Sequence, residues 1–161
     1  MREVQLIRID ERLIHGQIVT TWTQASNCNT IVVADNKAAS DPLSESLFRL
    51  ALPRGVKLKV LKLEEVQDYL SQSGDEKILF ILGNLDSLSK LVDLGMNIKE
   101  VNVGNISQAA GKKQYYKSIF LNESDLFLID KLLNKEIDLF VQVVPSDSKI
   151  PIQKLIARKG G

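Results

Sequence analysis

Short apolar runs alternate along this chain with longer stretches whose apolar residues recur at helical spacing. The predicted strands span residues 4–9, 30–34, 56–61, 78–82, 98–103, 118–121 and 137–144. Strands that alternate with helices are typical of βαβ units, in which parallel strands are covered by the connecting helices. The pattern therefore predicts an α/β fold: one domain over residues 1–161, with a mostly parallel central sheet of about seven strands and helices on both faces.

The helix after the second strand has the clearest boundaries in the sequence. Asp41 is suited to cap its first turn, and Pro42 suits the first helical position. Pro53 and Gly55 end it. The apolar residues that predict its buried side are Leu43, Leu47, Leu50 and Ala51. We expect this side to pack against the sheet.

The loop after the first strand is the most distinctive polar segment. His15, the only histidine, lies between strand 4–9 and a predicted helix over 16–26. A side chain at that place faces the amino end of a helix, where backbone N–H groups bind anions. Imidazole can also accept a proton or a phosphoryl group near neutral pH. This loop is therefore the first candidate for a functional site.

The place of the loop in the sheet depends on strand order, which periodicity does not determine. In the common order three-two-one-four, the connections of the first and fourth strands leave in opposite directions, and a crevice opens between their carboxyl ends. His15 and Asn84 would line that crevice, and Asp35 and Gly104 would lie one strand away. We adopt this order as the working expectation.

Composition excludes several kinds of partner. Lys and Arg total 21 against 20 Asp and Glu, giving a net charge of +1, so no basic surface is predicted for nucleic acid or an anionic membrane. One cysteine excludes an internal disulfide, and one His with one Cys is too few for a zinc site. No apolar run approaches the length of a membrane span. The sequence predicts a soluble chain whose partners are small molecules or proteins.

Common nucleotide and hydrolase motifs are missing from the sequence. The glycines within 104–113 do not have the spacing of a phosphate-binding P-loop, and no GxGxxG follows the first strand. No GxSxG sequence supplies a hydrolase nucleophile. The loop around His15 remains the candidate site.

The residues around His15 fit phosphoryl chemistry. Arg12 has a planar guanidinium that can hold two phosphoryl oxygens. Gly16 allows close backbone approach, and the helix-start amides at Gly16 and Gln17 point to the same place. Asp10, at the end of the first strand, can orient the imidazole or the guanidinium. Together these groups place a nucleophile beside an anion clamp, although a local surface ion pair between Asp10 and Arg12 is an equal alternative from the residues alone.

Segment 8–18, Arg-Ile-Asp-Glu-Arg-Leu-Ile-His-Gly-Gln-Ile, with Trp22 following, closely resembles the opening of a known family. This family is the IIB components of the mannose/fructose/sorbose class of the bacterial sugar phosphotransferase system (PTS). Segments 31–36, 51–56 and 101–105 are similar to its later blocks in order and spacing, so the resemblance covers nearly the whole chain. Asn105 stands where the family pattern has a second glycine.

The resemblance implies a phosphoryl carrier, a protein-Nπ-phosphohistidine–sugar phosphotransferase. His15 would take a phosphoryl group on Nδ1 from a phosphohistidine of the cognate IIA component and pass it to a sugar bound by the membrane components IIC and IID. Arg12, Gly16 and Gln17 would hold the phosphoryl oxygens, and Asp10 would complete the catalytic group. The resemblance implies no cofactor and no metal, and a place in the cytoplasm in peripheral association with the membrane components.

A carrier that meets two partners through one face needs an exposed rim around its phosphorylated residue. The candidates by position are Asp35, Lys37, Asn84, Gln108, Lys112 and Lys113. Loop lysines are usually only solvated, so this rim is a hypothesis about docking. The sequence does not choose the sugar, and it leaves a homo-oligomer open.

Two other functions fit a His-Gly pair at a strand end. Histidine phosphatases and phosphoglycerate mutases form a phosphohistidine there, but they have Arg directly before the histidine, where Ile14 stands, and they use a second histidine. The other is a non-catalytic α/β ligand-binding or signalling module with His15 as an incidental pocket residue. That module predicts no covalent phosphate.

Overall fold

A seven-stranded sheet forms the centre of the chain. The structure is a computed structural model that describes residues 2–160. Its strands are β1 (Glu3–Asp10), β2 (Thr30–Ala34), β3 (Lys57–Leu61), β4 (Lys77–Leu82), β5 (Glu100–Asn105), β6 (Lys113–Tyr116), β7 (Ile119–Leu121), β8 (Asp138–Val141) and β9 (Ile150–Pro151). The sheet has the order β3-β2-β4-β1-β5-β8-β9, with its strands parallel except for β9, which pairs antiparallel with β8. The predicted mostly parallel sheet is confirmed.

The seventh strand of the sheet is not the one expected. The predicted strand at 118–121 becomes β7, which pairs antiparallel with β6 in a separate hairpin. The short strand β9 takes the last place at the sheet edge. A strand of two residues carries no periodicity, so the apolar pattern could not predict it.

The strand order differs from the working expectation. β4 lies between β2 and β1, from Val4 opposite Ile78 to Ile9 opposite Leu82. On its other side β1 pairs with β5, where Arg8 lies opposite Asn102. The crevice expected between the ends of β1 and β4 opens between β1 and β5 instead. The sequence could not predict this place, because apolar periodicity identifies strands but not their neighbours.

Helices cover both faces of the sheet, as predicted. They are α1 (Gly16–Ala25), α2 (Asn36–Ala39), α3 (Pro42–Ala51), α4 (Val66–Ser71), α5 (Leu85–Asp93), α6 (Glu123–Asn134) and α7 (Ile152–Gly160), and a 3₁₀ turn (Leu63–Glu65) precedes α4. Asp41 caps α3 by accepting from the Leu43 amide, with Pro42 in the first turn, as the sequence predicts. The helix ends are thus encoded locally.

Two apolar clusters lie on opposite faces of the sheet. On one face α4 to α7 bury residues such as Ile9, Phe80 and Leu88. On the other face α1 and α3 bury a smaller cluster that includes Val19 and Trp22. Alternate residues of each strand point to the two layers, so β1 sends Ile7 and Ile9 to the larger one.

The predicted buried side of α3 is wrong for three of its four residues. Leu43, Leu47 and Leu50 are 64%, 56% and 84% exposed. Ala51, the fourth predicted residue, does face the sheet together with Phe48, and both pack at the margin of the smaller cluster. Ten residues carry two apolar stripes here, and spacing alone does not decide which one faces inward.

Candidate functional site

The face of β1 and β5 that lies under α1 is polar, although it is buried. Arg8 and Asp10 are each 2% exposed, and Asn102 on β5 is fully buried. Buried charged groups are costly unless they are paired and hydrogen-bonded. The partners of Arg8 and Asp10 therefore decide what this face can do.

Arg8 is held from several sides. Its Nη1 donates to Asn102 Oδ1 at 2.8 Å and to the Gln142 carbonyl at 3.0 Å, and its Nη2 donates to the Val143 carbonyl at 3.2 Å. The guanidinium carbon lies 5.0 Å from the centre of the Trp22 ring, a cation–π geometry. Burial lowers the pKa of Arg8 to about 10, and the charge of Asp10 opposes that fall. Arg8 stays protonated at neutral pH.

Gly104 makes the approach of Arg8 possible. It follows Val103 on β5, and a Cβ at this position would overlap the guanidinium carbon of Arg8. The backbone and the flat guanidinium therefore lie in direct contact, which only glycine permits. The sequence predicts that Gly104 lies one strand away from the crevice, but in the structure Gly104 lines it.

Asp10 joins the buried face to the loop above it. Its Oδ1 accepts from the Arg12 backbone amide at 3.0 Å and lies 3.5 Å from Asn105 Nδ2. Its Oδ2 lies 2.9 Å from His15 Nε2 and 3.7 Å from Arg8 Nη2. The Asp10 carboxylate thus uses both oxygens: Oδ2 bonds the imidazole, and Oδ1 accepts from the Arg12 backbone amide. The alternative of a surface ion pair between Asp10 and Arg12 is not what the structure shows.

The conformation of the loop from Glu11 to His15 is fixed by backbone hydrogen bonds and by the Glu11 side chain. Leu13 has φ +60° and donates from its amide to the Asp10 carbonyl, and Gly16 has φ +45°. The Glu11 side chain accepts from the Ser107 amide at 2.8 Å, which ties the loop to the segment after β5. No atom lies within 4 Å of a Cβ built on Gly16. Gly16 is therefore needed for its left-handed backbone rather than for close contact with other protein atoms.

His15 stands at the amino end of α1. It is the N-cap residue in extended conformation, and the first turn of the helix contains no acidic residue. The amides of Gly16 and Gln17 begin the helix and need acceptors from outside it. Arg12 is exposed and forms no ion pair within residues 2–160. Arg12 lines the same cleft as the imidazole, and the amides of α1 begin directly after His15; this arrangement suits an anion.

These groups share an open cleft of about 420 Å³. It is lined, among others, by Asp10, Arg12, His15, Asn105, Ser107 and Ser118. Sequence reasoning missed Arg8, Asn102 and Ser118. One signal was available, because Arg8 is a charged residue between Ile7 and Ile9 in the apolar part of β1. Asn102 carries a similar signal, because it lies between Val101 and Val103 on β5, whereas nothing in the sequence pattern marks Ser118.

The predicted rim residues lie in different places. Asp35 accepts from the Ala38 amide and caps α2, and Asn84 accepts from the Ser87 amide and caps α5. Neither lines the cleft, since β2 is two strands from β1 and α5 lies on the opposite face. Lys112 is paired with Asp125 at 3.4 Å. Lys37, Gln108 and Lys113 are exposed, and a docking role for the rim stays a prediction.

Comparison with known proteins decides the family. A family model described as the PTS system sorbose subfamily IIB component matches residues 4–161. The chain belongs to that family. This confirms the resemblance read from segment 8–18 and the later blocks.

Relatives of this IIB component carry the names of different sugars. An N-acetylgalactosamine-specific phosphotransferase enzyme IIB component 2 of Escherichia coli is 32% identical over 97% of this chain and 100% of its own length. A sorbose-specific EIIB component of Klebsiella pneumoniae is also 32% identical, over 93% of each chain. The mannose-specific EIIAB component of Escherichia coli matches at 32% over 96% of this chain but 49% of its own length. The shared region is therefore the IIB portion in all three.

Solved structures agree with the fold of this family member. The IIBSor domain of the sorbose permease from Klebsiella pneumoniae has a TM-score of 0.91 at 30% identity, covering 97% of both chains. The structure of manxB from Thermoanaerobacter tengcongensis has the same TM-score at 28% identity, covering 98% and 97%. Within residues 2–160 no helix is long and apolar enough to cross a membrane. The same residues contain no group of three or more His, Cys, Asp or Glu side chains placed to hold a metal ion.

Proposed function

We propose that this PTS IIB component is a phosphoryl carrier, with residues 1–161 as one IIB domain and His15 as its phosphorylated residue. It takes the phosphoryl group from a phosphohistidine of a IIA component and passes it to a sugar held by the membrane components IIC and IID. The family membership supports a phosphotransferase role in sugar transport. The assignment of His15 rests on the geometry of the cleft.

The hydrogen bond between His15 and Asp10 carries this proposal. Asp10 Oδ2 lies 2.9 Å from Nε2, and an ionised carboxylate can only accept. The neutral imidazole therefore has its proton on Nε2, and the lone pair of Nδ1 is free to attack. Nδ1 is the nitrogen on which the family resemblance implies phosphorylation. A fixed tautomer with one free nitrogen is the arrangement that an imidazole nucleophile requires.

The two transfers balance without any further reactant. In the first, Nδ1 of His15 forms a bond to phosphorus as the nitrogen–phosphorus bond of the IIA phosphohistidine breaks. In the second, a sugar hydroxyl oxygen forms the new bond, the Nδ1–phosphorus bond breaks, and the hydroxyl proton leaves to a base on the membrane partner. Arg12 and the amides of Gly16 and Gln17 hold the equatorial oxygens in both transition states.

The family supports the partners and the place of action that we propose. The mannose-specific relative is an EIIAB component, and this supports a IIA protein as the donor. We place the carrier in the cytoplasm, in peripheral association with IIC and IID. Relatives named for N-acetylgalactosamine, sorbose and mannose match at the same 32% identity, so identity does not choose the sugar.

Intact mass spectrometry tests the proposal directly. The chain is incubated with phosphoenolpyruvate, the general phosphotransferase proteins and a mannose-class IIA component, beside the variant His15→Ala. We expect one added phosphoryl group that is lost in acid, survives alkali and is missing from the variant. Because His15 is the only histidine, an acid-labile adduct of this kind is assigned without peptide mapping.

Each other outcome has a definite meaning. An adduct that persists in His15→Ala would remove His15 as the acceptor. No adduct with several competent IIA donors would favour the non-catalytic binding module, and a phosphoryl group on Nε2 would contradict the tautomer that Asp10 imposes. Long-range ¹H–¹⁵N spectra of the phosphorylated chain distinguish the two nitrogens.

A further inference from the structure

One carboxylate oxygen of Asp10 lies near both the His15 imidazole and the Arg8 guanidinium. Oδ2 lies 2.9 Å from His15 Nε2 and 3.7 Å from Arg8 Nη2. A carboxylate beside an imidazole stabilises the imidazolium, and a nearby cation weakens that effect because like charges repel. The geometry points to Arg8 as a positioning residue that moderates the effect of the Asp10 carboxylate on the His15 imidazole.

Arg8 can have this effect because it cannot move away. Asn102 and the carbonyls of Gln142 and Val143 hold its Nη atoms, and Trp22 and Gly104 cover its two sides. A buried charge also acts over a short distance with little screening by salt. An exposed arginine at 3.7 Å would exert a smaller and more variable effect.

The other charged groups around His15 are few. In the loop, Glu11 is bonded to the Ser107 amide, and Arg12 is exposed. The first turn of α1 contains no acidic residue, and the groups from β5 and the following segment that line the cleft are neutral. Lys117, in the turn before Ser118, lies over the Tyr116 ring. Arg8 and Asp10 are thus the buried charges closest to the imidazole within the described residues.

This balance matters to a carrier, a consequence that rests on the proposed function. A more basic imidazole attacks phosphorus more readily but is a poorer leaving group when the phosphoryl group moves on. A carrier has to perform both steps with the same nitrogen. With Arg8 in place, Asp10 orients the ring while the leaving tendency of the imidazole is preserved.

The test is a proton titration of the unphosphorylated chain, followed by NMR. His15 is the only histidine, so its ring signals need no assignment. Arg8→Met removes the cation, and Arg8→Lys retains a positive charge as the conservative rescue. We expect Arg8→Met to raise the pH midpoint of the imidazole titration by about one unit, a tenfold gain in proton affinity. Arg8→Lys should restore most of the original midpoint, and Asp10→Asn should lower it.

Folding of the variants is checked by the fluorescence of Trp22, the only tryptophan, which packs against Arg8. If Arg8→Met unfolds because it leaves Asp10 buried without a cation, the comparison moves to the Asp10→Asn background. There Arg8→Met should again raise the midpoint. An unchanged midpoint in a folded Arg8→Met chain, in either background, would overturn the inference.

Phosphorylation provides a separate readout. At equilibrium with a phosphorylated IIA component, a folded Arg8→Met chain should hold a larger share of the phosphoryl groups than the original chain. An equal or smaller share beside a raised midpoint would overturn the link to transfer. If neither the original chain nor any variant is phosphorylated, the proposed function fails. The titration still shows whether Arg8 affects the imidazole of His15.

Discussion

The two faces of strand β1 bury opposite kinds of side chain. Ile7 and Ile9 pack into the larger apolar cluster under α4 to α7. Arg8 and Asp10, which alternate with them, lie equally deep on the face under α1. One strand therefore contributes to a hydrocarbon core and to a charged network at the same time.

This difference determines which substitutions each face of β1 tolerates. Apolar contacts are non-directional, so the first face depends on volume and tolerates exchanges that conserve it. The second face depends on bonds with defined donors and acceptors, and a lost partner leaves a buried charge uncompensated. Substitutions on the first face should change stability, whereas those on the second should change reactivity as well.

The largest effect is expected for Asp10→Asn. An amide can donate to Nε2 and shift the imidazole proton to Nδ1, which removes the nucleophile. The initial rate of His15 phosphorylation by a IIA component should fall by about a hundredfold to ten-thousandfold. Asp86→Asn, in an exposed pair with Lys90 on α5, is the matched control and should keep the full rate. Equal rates for the two variants would remove Asp10 from the reaction.

Leu88→Ala tests the apolar face. Leu88 is fully buried on α5, and its truncation should lower the free energy of unfolding by about 2–5 kcal/mol. Leu47→Ala makes the same change at the exposed stripe of α3 and should cost less than about 0.5 kcal/mol. Urea denaturation measures both. A large loss for Leu47→Ala would show that the stripe is covered in solution.

Gly104→Ala tests the charged face, where the backbone of Gly104 lies against the Arg8 guanidinium. The new Cβ would overlap the Arg8 guanidinium, so we expect a loss of about 1–3 kcal/mol in unfolding free energy, with slower phosphorylation. Gly83→Ala is the control at the end of β4, where the nearest atoms lie at 3.4 and 3.5 Å, ordinary contact distances. Similar losses in both would mean that Arg8 adapts easily.

The smallest effect is expected for Arg12→Lys. Lysine keeps the charge but loses the planar fork that binds two oxygens, so the phosphorylation rate should fall by about tenfold. Stability should not change, because Arg12 is exposed and forms no ion pair among residues 2–160. Arg49→Lys on α3, where Arg49 pairs with Glu45, is the control. A stability loss in Arg12→Lys would indicate a structural role instead.

Local features of the fold could be predicted, but the assembly of the sheet could not. Asp41 and Pro42 encode the start of α3 within a few residues, and the buried run 30–34 encodes β2. The insertion of β4 between β1 and β2 depends on contacts between distant segments, about which local periodicity carries no information. The same limit explains why the spacing of Leu43, Leu47 and Leu50 predicts a buried side that the structure exposes.

The candidate site shows the same division. The loop from Asp10 to Gln17 could be recognised because its polar residues lie close together in the sequence. The groups that hold Arg8 come from Asn102 and from the segment after β8, 94 and 134 residues away. Only the three-dimensional structure brings them together, since side chains and carbonyls of such ordinary types have no distinctive spacing.

The bonds between Arg8 and the carbonyls of Gln142 and Val143 also set an order of events during synthesis. The histidine loop leaves the ribosome before these carbonyls, which follow Arg8 by 134 and 135 residues. Until residues 142 and 143 have been made, Arg8 lacks two of the acceptors that hold it beside Asp10. Under the function proposed above, the buried charges next to His15 are therefore in place only after this later segment has folded against the sheet.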